Sequence, residues 1–363
     1  MQLLLSAFQS VPDPRADNKR YDLVELLVLA FVAVLCGATG CCEMAEFART
    51  KLKFFKRFLK LKHGTPSHDT FSTVLRIIDP KALDAAFGAL TARLLQALAD
   101  GAVIAIDGKS LKGAYDKGEE YMPRMMVTAY ATNLRLTLAS LEAKGGREVE
   151  AALSLIGLID LKGHIVTADA LHCHRRMAEA ILAKGGDYCF TLKGNREGLL
   201  ADAHACLSKP NKRHATAKSE TRGHGRRERR VGIVAKAPDI AQRRNFPGLK
   251  AFGRVEARRV VDGKVERDVR IFALSRELAP QTLLDTVRAH WDIENGLHWQ
   301  LDVTLREDAA RNRRDNAPAN IAVLRRRALD VARRDTSKGS LATKLKRAGW
   351  DHDFLLQMLG HMR

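Results

Sequence analysis

Two short apolar runs in this sequence each close on an aspartate. Val103-Ile104-Ala105-Ile106 leads into Asp107, and Ile165-Val166-Thr167-Ala168 leads into Asp169. A brief run of this kind, bounded by glycine, suits a strand buried on both faces, although periodicity alone does not separate it from a short buried helix. An acid at the carboxyl end of such a strand stands where open α/β sheets place their ligands. For Asp107-Gly108 a hairpin turn is the competing reading. Lys109 to Gly113 are mostly polar and make a poor return strand. A helix is expected over Glu148 to Leu158, so strand, helix and strand predict a right-handed crossover with the two strands as parallel neighbours. The two carboxylates then meet at one sheet edge. They repel, and one takes up a proton unless a cation neutralises both. Hard oxygen donors at an open edge suit a divalent ion that keeps some of its waters, magnesium or manganese.

A third acid lies far along the chain. Val287, Trp291, Glu294, His298 and Leu301 recur at helical spacings of three and four, which puts Glu294 on a stripe with large apolar residues. An ionised glutamate there is costly unless something compensates it. A pair with His298 one turn on, or with an arginine, would do so. A cation shared with Asp107 and Asp169 would do so equally.

The elements that must position these acids divide the chain into five stretches. Residues 1–97 read as a helical, DNA-binding domain, with a capping box at Asp22 to Glu25, a buried helix from Leu26, a basic amphipathic helix or helix pair over Glu43 to Leu61, and a helix start at Ser67 or Asp69. Residues 98–207 carry the strands: a meander over Met122 to Thr132 and Leu134 to Leu141, a helix over Arg175 to Ala183, and a strand over Asp187 to Leu192. Residues 208–280 are rich in arginine and read as a β-rich basic insertion with a hairpin at Asp262-Gly263. Residues 281–340 resume helix, with Pro318 near the start of a segment bearing Arg325-Arg326-Arg327 and Arg333-Arg334; 341–363 read as a basic helical tail.

Composition narrows the class. With 61 Lys+Arg against 42 Asp+Glu the 363-residue chain carries a formal charge of +19, a field that favours a polyanion such as nucleic acid. The 46% hydrophobic content says that the charge decorates folded domains. Six scattered cysteines without a Cys-x-x-Cys pair, and no secretory signal, suggest reduced thiols in the cytoplasm. Leu26 to Ala38 is too short for a membrane span. His172-Cys173-His174 lacks the further ligands that zinc would need.

Several phrases together point further. Ile106-Asp107-Gly108-Lys109-Ser110-Leu111-Lys112-Gly113, Val166-Thr167-Ala168-Asp169-Ala170, Asp187-Tyr188 through Leu192-Lys193-Gly194-Asn195, and Trp291-Asp292-Ile293-Glu294-Asn295-Gly296-Leu297-His298 resemble the DDE transposases of bacterial insertion sequences, in the group that includes the H-repeat-associated proteins. Asp13-Pro14-Arg15 and Pro66-Ser67-His68-Asp69-Thr70-Phe71 extend the likeness over nearly the whole chain. The resemblance implies an α/β, RNase-H-like mixed sheet flanked by helices and interrupted by the insertion. It assigns the catalytic, metal-holding triad to Asp107, Asp169 and Glu294, with two Mg²⁺ or Mn²⁺ ions bridged by Asp107. The implied activity is cleavage of transposon ends and joining of the 3′-hydroxyl to target DNA. Double-stranded DNA would be the partner, a homodimer the assembly on it, and the nucleoid the location. Lys109, Lys193, Asn195, Arg226, Arg227, Trp291 and His298 are the candidate DNA contacts. A nuclease or resolvase without strand transfer, or a DNA-binding derivative that no longer cuts, are the rival readings.

Overall fold

The computed structural model describes all residues except 18, 96–99, 116–123, 209–215, 224–225, 262–263 and 362–363. Its centre is a nine-stranded sheet in the order β3-β2-β1-β4-β5-β9-β8-β7-β6. The first five strands are β1 (Val103–Leu111), β2 (Arg124–Ala131), β3 (Leu136–Glu142), β4 (Ile165–Ala168) and β5 (Asp187–Leu192). β1, β2 and β3 form the expected antiparallel meander, and β4 and β5 run parallel to β1. An antiparallel meander continued by two parallel strands is the RNase-H-like arrangement. The helix Glu148–Leu158 makes the crossover from β3 to β4, and Arg175–Ala183 the one to β5.

The strand β1 corrects the expectation that Asp107 ends it. It runs on to Leu111, paired with β2 throughout, Asp107 opposite Thr128 and Leu111 opposite Arg124. Only the parallel pairing stops, at Ile106 opposite Ala168. The next residue on each strand is an acid, so Asp107 and Asp169 stand where the two strands part.

Residues 208–280 extend this sheet instead of folding apart from it. β6 (Thr216–Gly223), β7 (Arg226–Lys236), β8 (Ala251–Val261) and β9 (Lys264–Leu274) are antiparallel throughout. β9 joins β5 through its buried end, Ile271 to Leu274, while Lys264 to Asp268 are exposed. Asp262-Gly263 lie outside the described residues, and the flanking strands pair antiparallel up to Val261 opposite Lys264.

The two faces of the sheet are covered differently. Ile104 and Ile106 of β1 pack among Ala152, Leu155 and Ile156 of one crossover helix and Met177, Ala178 and Ile181 of the other. The alternate residues Ala105 and Leu111 face a helical layer built from both ends of the chain. There the helix Leu23–Leu35 is capped by the Asp22 carboxylate, which accepts from the Glu25 amide at 3.0 Å, and is buried from Leu26 to Leu35. A helix apolar all round belongs inside a core. The capping at Ser67 is also as expected, with its hydroxyl accepting from the Thr70 amide. The helices Leu341–Trp350 and His352–Gly360 join the same core through Leu345, Ala348, Phe354, Leu355 and Met358.

The arginine-rich helix Ala317–Arg334 turns inward: it is buried from Ala317 to Ala332, with Arg325, Arg326 and Arg327 exposed by only 2%, 0% and 1%. Each guanidinium is met by acceptors from distant segments. Arg326 donates to Glu307 Oε1 at 2.9 Å and to Thr128 Oγ1 of β2 at 3.1 Å. Arg325 donates to the Thr39 carbonyl at 2.9 Å. Arg327 donates to Asp84 Oδ1 at 2.8 Å and to the carbonyls of Thr137 and Leu138 at 2.6 and 3.3 Å. The amides of Thr137 and Ser140 in turn donate to Asp330 and Asp84 at 3.1 and 2.9 Å. β3 is an edge strand, and these side chains occupy backbone groups that would otherwise lack partners inside the protein.

Removing one member of such a set strands the others in a low dielectric. Arg327→Met is expected to destabilise the fold by about 3–5 kcal/mol in chemical denaturation. Arg327→Lys should recover only part of this, since an ammonium does not reproduce the planar fork.

Candidate active site

Each of the three acids is set by a different local device. Asp107 lies within β1, its backbone fixed by β2 on one side and opened on the other by the end of β4. Asp169 follows β4 directly, and its Oδ1 accepts the amides of Leu171 and His172 at 2.9 and 3.3 Å, an Asx turn that fixes the loop. The loop after β5 braces the same segment: Asn195 Nδ2 donates to the Ala170 carbonyl at 2.7 Å and Arg196 Nε to the Cys173 carbonyl at 2.8 Å.

Glu294 sits in a single π-helical turn, Ile293–His298, between the helices Pro280–Asp292 and Trp299–Val303. This changes the expected stripe. The buried residues through the turn are Ile293, Leu297, Leu301 and Leu305, recurring every fourth position, and Glu294 itself is exposed. A wider turn absorbs an extra residue and keeps that row on the core while swinging its neighbour outward, a device common at functional sites. Val287 is buried as expected, but Trp291 is half-buried and does not continue into Glu294 on one apolar face.

The other acids act on Asp107. Asp107 is pushed up to about 7, first by burial and then by the charges of Glu294, Asp169 and Glu148, with its bond from the Gly108 amide opposing. Partial burial raises Glu294 as well, against the pull of Arg270. The three acids named from the sequence thus share one electrostatic neighbourhood, together with a fourth, Glu148. Among the described residues no three His, Cys, Asp or Glu side chains close into a ready cage for an ion.

Histidines line the same place without neutralising it. His298 Nδ1 is 3.5 Å from Asp107 Oδ2, yet burial and the charges of Arg326 and Lys109 hold its pKa down to about 3. His290 bonds Thr167 Oγ1 through Nδ1 at 2.9 Å and is held down to about 4, chiefly by burial. Both rings are neutral at pH 7. His298 is expected from the sequence at DNA; His290 and Glu148 carry no such signal there. Their signal was weak because each enters from a different element, and only the fold brings them to Asp107.

The remaining candidates scatter. Lys109 is buried, 2.8 Å from Asp302 and 2.9 Å from Asp308, so its charge is met inside the protein. Asn195 holds the Asp169 loop, as described, while Lys193 beside it is exposed. Arg227 is exposed and pairs with Glu220 at 2.6 Å; Arg226 opens β7, and its side chain lies outside the described residues. Trp291 lies under the Arg270 guanidinium, 4.4 Å from its ring centroid, in a groove of about 460 Å³ also lined by Arg230, Arg259, Arg288 and Asn295. That groove adjoins Glu294 through its sequence neighbour Asn295.

The proton held by Asp107 carries a stability consequence. From an ordinary value of 3.8 the folded carboxyl rises to about 7, so between those values the native state binds more protons than the unfolded chain. Stability is therefore lost as pH rises through that window. Asp107→Asn removes the loss, and without divalent ions the variant should exceed the wild type by roughly 1–3 kcal/mol at pH 8, a difference that shrinks below pH 5. Thermal denaturation at the two pH values checks this.

The chain has relatives along its whole length. The H repeat-associated putative transposase YhhI of Escherichia coli (strain K12) is 30% identical, over 99% of this chain and 98% of that protein. An uncharacterized protein in the dhlA 3′ region of Xanthobacter autotrophicus is 34% identical, over 75% of this chain and 94% of that one. Among solved structures, the piggyBac transposase synaptic complex with hairpin DNA aligns with a TM-score of 0.41 and 11% identity, covering 99% of this chain and 81% of that one. Residues 5–91 match the family described as DDE_Tnp_1-associated, and residues 99–329, which hold all three acids and every strand of the sheet, match the Transposase DDE domain. By that match and by the full-length relative, the chain belongs to the DDE transposase family.

Proposed function

We propose that this chain is the transposase of an insertion sequence, cutting the element's ends and joining the freed 3′-hydroxyl to target DNA at Asp107, Asp169 and Glu294. The observation that carries the reading is the delivery of Asp169 from the end of β4 and of Glu294 from a π turn to within electrostatic reach of Asp107 on β1, on a chain of this family.

The donor set suits hard divalent ions, magnesium or manganese, because it is all carboxylate oxygen and the nearby histidines carry no charge to compensate it. A pair of such ions, when bound, supplies activation of the attacking oxygen and neutralisation of charge at the leaving one. The chain's part is to hold and orient. Asp107, Asp169 and Glu294 would be the residues that hold such ions. The Asx turn and the Asn195 and Arg196 bonds fix Asp169, and the π turn presents Glu294 toward solvent, where a duplex would arrive.

The groove beside Glu294 supports a path for the DNA backbone. Arg270 and Arg288 supply charge, and the Trp291 ring offers a flat apolar surface beneath a guanidinium. Because Arg325, Arg326 and Arg327 are internal, the basic field available to DNA comes from this outer part of the sheet and from exposed lysines of the N-terminal helices, such as Lys53 and Lys56. Two element ends have to be cut together, so a homodimer on DNA, at the nucleoid, belongs to this reading.

Purified protein with Mg²⁺ and duplexes carrying the element's ends tests it. Asp107→Asn and Glu294→Gln should each lower cleavage by roughly 10³-fold, the loss of several kcal/mol of transition-state stabilisation, with binding to the same duplex kept within about twofold. Unchanged cleavage in either variant would sink the assignment, and cleavage without joining would favour a nuclease. Arg270→Ala should weaken binding to all duplexes alike and reduce the slope of log affinity against log salt by about one.

A further inference from the structure

One carboxylate beside Asp107 is outside the triad. Glu148 opens the helix Glu148–Leu158, which packs on the sheet face holding Ile104 and Ile106. The π turn with Glu294 packs on the other face, through Ile293 and Leu297. Glu148 therefore approaches the parting of β1 and β4 from the side opposite Glu294.

Two features hold it there. The first is Gly108, the residue after Asp107. A Cβ built on Gly108 would stand 2.4 Å from Glu148 Oε1 and 2.7 Å from its Cδ, so the Glu148 carboxylate fills the space that a side chain on β1 would take. The second is His172, which is fully buried. Its Nε2 lies 3.2 Å from Glu148 Oε1, and its backbone amide donates to Asp169 Oδ1. One buried residue thus fixes both Glu148 and Asp169. Among the described residues His172 is the ion-pair partner of Glu148, and no lysine or arginine shares it. A largely buried carboxylate set against the backbone next to Asp107, held by one imidazole and, among the described residues, by no lysine or arginine, keeps oxygen lone pairs that a cation from outside the chain could take.

We propose that Glu148 is a fourth carboxylate donor of the metal site, serving it from the face of the sheet opposite Glu294. The proposal rests on the reading of Asp107, Asp169 and Glu294 as metal-holding acids, and the test separates the two. Mn²⁺ is titrated into the full-length protein without DNA, and free Mn²⁺ is followed by electron paramagnetic resonance, with far-ultraviolet circular dichroism as the check on folding. Glu148→Gln keeps the side chain's shape and should raise the Mn²⁺ dissociation constant about tenfold. Gly108→Ala, which leaves Glu148 in the chain but drives its carboxylate off β1, should weaken binding in the same direction. If Asp107→Asn weakens Mn²⁺ binding while Glu148→Gln binds as the wild type does, Glu148 is no ligand and the proposal is overturned with the triad intact. If Asp107→Asn also binds as the wild type does, the metal-site reading fails, and the role of Glu148 with it.

Discussion

The fold depends on guanidinium groups that water never reaches. Arg327 and the two acids beside it, Asp84 and Asp330, complete the hydrogen bonding of the edge strand β3. Without them the sheet would end in a row of unpaired amides and carbonyls against a helix, a cost of about 1–3 kcal/mol for each unsatisfied group. Burial of Asp330 lifts its pKa to about 6 even with Arg327 close by, a measure of how dry the junction is. The Ala317–Arg334 helix is thus a polar strut in an apolar layer, and it binds the N-terminal helices to the sheet through side chains of opposite charge.

The same strut reaches toward the acids. Arg326 joins Thr128, the β2 residue opposite Asp107, and Glu307. The short turn Glu307–Ala309 also carries Asp308, which with Asp302 receives Lys109, two residues beyond Asp107 on the same strand. Residues two apart on a strand share a face. A continuous set of charged contacts therefore runs from the sheet edge to the strand that bears Asp107, and it locks the segment after the Glu294 turn against that strand.

The local grammar of the sequence was enough for much of this. Apolar runs closing on acids, with a helix between them, identified β1 and β4 as parallel neighbours, and the Glu148–Leu158 and Arg175–Ala183 helices fall where the pattern puts them. What the sequence does not disclose is which charged side chains are buried. Arg325 to Arg327 and Lys109 are buried because their partners, Asp84, Thr137, Glu307 and Asp302, come from segments remote in sequence, and no periodicity announces such a meeting. The polar stretch after Gly108 was read as the end of a strand for the same reason. Glu294 was misplaced on its stripe because a regular helix was assumed, whereas the buried row Ile293, Leu297, Leu301 fits the wider turn. Glu148 was passed over as a helix start, since its role depends on the missing side chain of Gly108 across the sheet.

Around Asp107 the chain withholds its own cations, and that is a physical condition for the site to respond to an external one. The nearest candidate, Lys109, is drawn off by Asp302 and Asp308. His298 stands 3.5 Å from Asp107, where a protonated ring would quench the negative potential, but burial and the positive charges of Arg326 and Lys109 keep it neutral. His290 is kept neutral mainly by burial. The strut that seals the sheet edge therefore has a second effect: with burial, its arginine holds down His298, the histidine beside Asp107. What remains is Asp107 kept partly protonated by burial and by the charges of its neighbouring acids, a proton that a cation of higher charge density would displace.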